Sequence, residues 1–226
     1  KNADTAMYHA KDNGRNNYQF FRSHMNTRAV ERQFIESSLR QAIEKNEFIL
    51  YYQPKVSLRT GVITGSEALL RWVHPKWGVV QPERFLQIAE ESGLIVKIGR
   101  WVLREACKQA KAWLDSGVEG MTIAVNISAI EFRHPGFFEC VQTILDETGL
   151  DPNLLELEIT ESVLMRDVDS STEILTNLKN LGVQLAVDDF GTGFSSLSYL
   201  QQFPIDVLKI DRSFVNEIKS ISDDGF

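Results

Sequence analysis

From Met25 to Lys45 the apolar residues Val30, Phe34, Ile35, Leu39 and Ile43 recur at three-, four- and five-residue intervals among charges, which predicts an amphipathic helix. Beyond it the pattern changes period. Phe48 to Val56 and Val62 to Trp72 predict two strands, and the turn Arg59-Thr60-Gly61 between them predicts an antiparallel pair. Pro82 opens a helix expected to run through Glu91, with Gly93 as its stop, and Val96 to Ser116 predicts another. Strands are then expected at Met121–Val125, Leu154–Ile159, Gln184–Val187 and Asp206–Ile210, separated by helices such as Phe137–Thr148 and Ser170–Leu181. Strand-helix alternation of this kind builds an α/β fold on a parallel sheet, open or closed. Ahead of it, Ala3–Lys11 reads as a helix stopped at Asp12-Asn13-Gly14, and Asn17–Phe21 as a short strand. Those two elements have no core of their own, so a discontinuity falls near residue 22.

Composition narrows the function classes. At 226 residues, 43% hydrophobic and 24% charged, the chain is ordinary globular material for one large domain, or one plus a fragment. No run approaches the roughly 20 apolar residues of a membrane-spanning helix, and the N-terminus lacks a signal-peptide core. The expectation is a soluble, cytoplasmic segment without membrane contact of its own, whose parent protein could be anchored through regions preceding it. The formal charge of −7 argues against duplex nucleic acid, which needs a basic surface, so an anionic ligand would need local cations or bound metal. Cys107 and Cys140 lack paired spacing and read as free buried thiols. His9, His24, His74 and His134 show no ligand spacing and are expected at surface or capping positions.

The ionisable and amide residues fall at the ends of the predicted strands. Glu67 lies in Ser66-Glu67-Ala68-Leu69-Leu70-Arg71-Trp72, Asn126 follows Ile123-Ala124-Val125, and Glu158 closes Leu155-Glu156-Leu157. Asp188 and Asp189 follow Leu185-Ala186-Val187, and Lys209 sits in Val207-Leu208-Lys209-Ile210-Asp211. In a (β/α) barrel such strand ends converge on one mouth. So many carboxylates together repel unless cations bind among them, and an all-oxygen set selects Mg²⁺ or Mn²⁺ over zinc. Consecutive aspartates suit a pair of ions, with Asp188 bridging and Asp189 serving the second, an arrangement that can activate a water and stabilise the leaving oxygen of an in-line phosphoryl displacement. Lys209 could orient the attacking water and Arg71 grip a phosphate. Each residue alone has a blander reading as a helix cap or solvated side chain. The repetition over successive strands, and the loop Phe190-Gly191-Thr192-Gly193 after the aspartates, favour a metal-dependent enzyme.

The same residues resemble the EAL phosphodiesterase family. Glu67-Ala68-Leu69 is its namesake motif, and Tyr52-Gln53-Pro54, Val125-Asn126-Ile127-Ser128, Glu158-Ile159-Thr160-Glu161-Ser162, Asp188-Asp189-Phe190-Gly191-Thr192-Gly193 and Leu208-Lys209-Ile210-Asp211 follow in family order. The resemblance implies a TIM-like (β/α) barrel with an antiparallel first strand, and hydrolysis of cyclic di-GMP to linear pGpG in bacterial second-messenger signalling. It implies that Glu67, Asn126, Glu158 and Asp188 ligate one metal ion, that Asp188 and Asp189 serve a second, and that Glu67, Asp189 and Lys209 carry the catalysis. By the same resemblance Glu161 holds the loop from Asp189 to Thr192, Gln53 and Arg71 touch the dinucleotide, and Asp211 belongs to the pattern with no stated role. Glu156 shares a strand face with Glu158, but the family pattern assigns it nothing. Family members often pair around the Asp189–Gly193 loop, so a homodimer is expected.

Residues 1–22 resemble the C-terminal end of a GGDEF domain. The expected organisation is therefore that remnant, a linker helix starting at 23–30, and the EAL domain over 31–226. Because the family continues through two further strands, the barrel is expected to be truncated before them, and the activity is expected of the complete protein, with very slow or no turnover by this fragment alone. Two rivals stand beside the enzyme. One is a cyclic di-GMP receptor or interaction module that binds without cleaving; the other is an enolase-like barrel, which Asn126, the adjacent aspartates and Arg71 disfavour.

Overall fold

The computed structural model describes Met7, Tyr18, Phe20, residues 23–192 and residues 202–217, for 23–29 and 217 in backbone only. The helix expected at Ala3–Lys11, the strand at Asn17–Phe21, Gly193 and the tail from 218 lie outside the described residues as elements. Two compact units divide the chain. One comprises Lys1–Ile49 and Trp72–Leu94, the other Leu50–Arg71 and Ile95–Phe226.

In the first unit, α1 (Ser23–Ala42) buries Ile35, Leu39 and Ala42 along one stripe and runs unbroken across Glu31. The end of β2 (Ile63–His74) pairs antiparallel with β3 (Gly78–Val80), with Trp72 opposite Val80 and His74 opposite Gly78. Trp72 is wholly buried and donates its indole N–H to Glu47 at 3.0 Å. His74 is buried too, stacked on Trp77 at 4.3 Å between ring centroids, so it is not at the surface, and its Nδ1 accepts the Lys76 N–H at 3.2 Å, which caps the turn. The helix expected over Pro82–Glu91 is two pieces, a 3₁₀ turn at Pro82–Arg84 and α2 (Leu86–Glu91). The break falls at Phe85 (φ −131°), whose wholly buried ring takes precedence over helix continuity.

The second unit carries the parallel part of the sheet. The whole sheet has seven strands in the order β1-β2-β4-β5-β6-β7, with β3 attached to β2. β1 (Phe48–Val56) and β2 are joined by a turn in which Ser57 N–H donates to Val62 O at 2.9 Å, as in an antiparallel hairpin. From β2 onward the ladder is parallel: β4 (Thr122–Ile127), β5 (Leu155–Thr160), β6 (Gln184–Phe190) and β7 (Val207–Ile210). Among the described residues the sheet is open, with β1 and β7 at its ends. The intervening helices are α3 (Ile95–Asp115), α4 (Ala129–Phe132), α5 (Phe137–Thr148), α6 (Glu161–Met165), α7 (Val168–Leu181) and α8 (Arg212–Glu217). Among the described residues no helix is long and apolar enough to cross a membrane.

Alternation divides β4, β5 and β6 into two faces. Ile123, Val125, Leu155, Leu157, Ile159, Leu185 and Val187 form a buried apolar face, against which α3 and α7 pack. The register sets Glu67 beside Ala124, Asn126 beside Glu158, Glu158 beside Ala186 and Thr160 beside Asp188, so the acids share the opposite face. That face holds the site.

Candidate active site

Glu158 is the anchor of the second unit. Its side chain has 0% exposure, and both carboxylate oxygens are engaged: Lys55 donates to Oε1 at 2.7 Å and Lys209 to Oε2 at 2.5 Å. Burying a carboxylate is tolerable only with such partners. Lys209 also lies 3.6 Å from Glu67 Oε2 and 3.2 Å from Asp188 Oδ2, so β2, β5 and β6 each send one carboxylate to a single ammonium nitrogen on β7. Asn126 on β4 donates its amide to Glu67 Oε1 at 2.7 Å. Burial presses Lys209 towards its neutral form, but its hydrogen bond to Glu158 and the charges of Glu158, Glu67 and Asp188 outweigh that and raise its pKa.

Lys55 is the residue that sequence reasoning missed. It lies on β1, two residues after Gln53 and therefore on the same strand face, and bonds Glu156 Oε1 at 2.6 Å as well as Glu158. Burial presses its pKa down, but the bonds to Glu156 and Glu158 outweigh that and raise it. The two-residue step from Gln53 is the signal that points to it. Gln53 itself is exposed on that face. Arg71, on β2, donates to Leu70 O at 2.7 Å, and its guanidinium lies 5.4 Å from the centroid of the Tyr51 ring.

The aspartate pair lies inside β6 rather than beyond a strand ending at Val187, because the strand continues through a register shift between Val187 and Phe190. Asp189 has φ 53°, in the left-handed region, which re-aims a side chain that plain alternation would send to the face opposite Asp188. Burial, then the charges of Asp188 and Asp211, raise the Asp189 pKa against the pull of Lys209. The following turn is held on two sides. Glu161 accepts the Gly191 N–H at 3.1 Å, and a Cβ on Gly191 (φ 95°) would stand 2.7 Å from the Phe214 ring, so only glycine fits there. Asp211 precedes α8 and accepts from Ser213 N–H at 2.9 Å and from the Ser213 hydroxyl, bonds that lower its pKa. Asn126 does not cap the helix after β4; Ser128 does, in a capping box with Glu131.

The donor chemistry suits a hard cation: carboxylate oxygens of Glu67, Glu158 and Asp188 already surround one positive charge. Among the described residues no three His, Cys, Asp or Glu side chains stand together as a ready metal cage, and the Lys209 ammonium lies among Glu67, Glu158 and Asp188.

Residues 36–225 match the EAL domain family. The chain is 52% identical over 99% of its length to the bifunctional diguanylate cyclase/cyclic di-GMP phosphodiesterase MucR of Pseudomonas aeruginosa, covering 33% of that protein. It is 40% identical over 96% of its length to the cyclic di-GMP phosphodiesterase PdeR of Escherichia coli, again covering 33%. The chain thus spans about a third of the length of these curated relatives. Among solved structures, the PaMucR phosphodiesterase in complex with c-di-GMP superposes with a TM-score of 0.81 at 50% identity, covering 84% of this chain and 77% of that one. The FimX EAL domain from Pseudomonas aeruginosa bound to c-di-GMP superposes at 0.75 with 29% identity, covering 83% and 75%. The fold is accordingly that of a TIM-like (β/α) barrel, of which the described strands form an open sheet. With a match that takes in every strand of that sheet and the whole acidic face, the chain belongs to the EAL domain family.

Proposed function

We propose that this chain carries the site of a divalent-metal-dependent phosphodiesterase that hydrolyses cyclic di-GMP to linear pGpG. The observation that carries the reading is the convergence of Glu67, Glu158 and Asp188 on Lys209, with Asn126 attached to Glu67. Glu67, Asn126, Glu158 and Asp188 would hold one Mg²⁺ or Mn²⁺, and Asp188 with Asp189 a second. Bound there, such ions supply Lewis acidity to the phosphodiester and charge to the departing oxygen.

The chain's own residues do the rest. Gln53 and Arg71 bind the dinucleotide, Arg71 through a guanidinium suited to phosphate. Lys209 orients the attacking water and offsets the charge that gathers around phosphorus in the transition state. The water gives up a proton as its oxygen bonds to phosphorus, one phosphorus–oxygen bond of the ring breaks, and the leaving ribose oxygen takes up a proton in balance, giving a linear dinucleotide. Glu161 fixes the turn after Asp189, and Asp211 caps α8 beside β7. A homodimer, a cytoplasmic location, and a GGDEF-derived segment over residues 1–22 belong to the same proposal. The MucR similarity, which runs over 99% of the chain and whose name includes a diguanylate cyclase, supports the last of these.

The test is product formation from cyclic di-GMP by the complete protein that contains this chain, with Mg²⁺ or Mn²⁺, with and without chelator. Metal-dependent appearance of the linear dinucleotide is the expected result. Tight binding without turnover would make the protein a receptor instead.

A further inference from the structure

Lys55 and Glu156 form a part-buried ion pair on the site face, at the edge of the proposed catalytic set. Glu156 shows 6% side-chain exposure and Lys55 28%, and Lys55 bridges Glu156 at 2.6 Å and Glu158 at 2.7 Å. Two carboxylates on one strand, two residues apart and both out of solvent, repel each other unless a cation stands between them. Lys55 supplies that cation from a different strand. It engages Glu158 through Oε1, while Oε2 points to Lys209 and the converging carboxylates of Glu67 and Asp188.

We propose that Lys55, held by Glu156, is a positioning residue that occupies Oε1 of Glu158 and so leaves Oε2, the oxygen that Lys209 holds, as the one a divalent cation would take in its place. The inference rests on the phosphodiesterase reading above. Glu156 acts one step further out: it fixes the ammonium, and the ammonium fixes the ligand. Partners of metal ligands act in this way generally, and removing one weakens metal affinity by about 10–100-fold.

The experiment is isothermal titration of the full chain with Mn²⁺ alone, alongside thermal unfolding without metal. Lys55→Met should weaken Mn²⁺ binding by about 10–100-fold, and Lys55→Arg, which keeps the charge and donors, should recover most of it. Because Lys55→Met leaves two buried carboxylates facing each other, the double variant Lys55→Met/Glu156→Gln removes that repulsion and isolates the lost tether; it should bind Mn²⁺ as weakly as the single variant. A folded double variant with the parent's affinity overturns the inference, since a purely structural lysine would shift the unfolding midpoint and leave the titration unmoved. Tighter binding would make Lys55 a competitor for Glu158 and overturn it equally. A parent chain that takes up no Mn²⁺ overturns the phosphodiesterase reading, and this inference with it.

Discussion

The ammonium of Lys209 donates to Oε2 of Glu158 at 2.5 Å, and the Glu158 side chain has no exposed surface. Lys209→Met should therefore lower stability by about 1–3 kcal/mol, the cost of leaving a buried acceptor short of a partner. A divalent cation can replace the missing charge, and in the variant it no longer has to displace an ammonium. Mn²⁺ should then raise the unfolding midpoint of the variant more than that of the parent. Equal shifts in a thermal scan would show that the ion and Lys209 do not share the site.

Glu67 holds Asn126 at 2.7 Å and faces Lys209 at 3.6 Å, so Glu67→Ala removes one carboxylate of the cluster and frees the amide of a second residue. Turnover of cyclic di-GMP should fall by about 100-fold or more, since a ligand matters at least as much as its supporting partners. Chromatography of the linear product measures this. Near-normal turnover would remove Glu67 from the proposed ligand set.

Asp189 separates backbone from charge. At φ 53° its conformation suits Asn, so Asp189→Asn should keep stability while catalysis falls far more than dinucleotide binding. Asp189→Ala should cost about 1–2 kcal/mol more, the penalty of the left-handed region for a residue with a Cβ and no local hydrogen bond. Denaturant unfolding and calorimetric binding of the dinucleotide distinguish the two effects.

Tyr52 packs edge-on against Trp113 at 4.9 Å, and burial followed by the charge of Glu105 pushes its phenol up to about 12. Its folded pKa lies above the ordinary value of 10.0, so the stability it contributes is complete below that value and is lost as pH rises through about 12. Ultraviolet difference titration of the parent and Tyr52→Phe should show one phenolate missing from the variant at the alkaline end. A missing phenolate near pH 10 would mean that the ring is not shielded as described.

Strongly periodic segments can be read directly. Phe137–Thr148 forms the helix that its apolar spacing predicts, and the strand expected from Gln184 begins there, while the one expected from Leu154 begins at Leu155 because Leu154 closes a 3₁₀ turn. β3 is not legible in this way, because Gly78-Val79-Val80 is too short to show a period. The break at Phe85 depends on where a ring packs, which spacing does not encode. Within the site, Glu67, Asn126, Glu158, Asp188 and Lys209 are visible because strand ends converge in this architecture. Lys55 is legible only as a residue on the face of Gln53; its partners lie more than a hundred positions away, and only the folded register reveals them.

β5 alternates without interruption: Leu155, Leu157 and Ile159 enter the apolar layer, while Glu156 and Glu158 meet lysines on the other side. A single inserted or deleted residue would exchange the two sets, driving acids into the core and leucines among the lysines. Point substitutions in this strand can be sampled one at a time during evolution, but a slip of one position cannot. Length variation among descendants of this sequence should accumulate in the connecting turns, where no such parity is enforced, and β5 should keep its register even where its apolar side chains change.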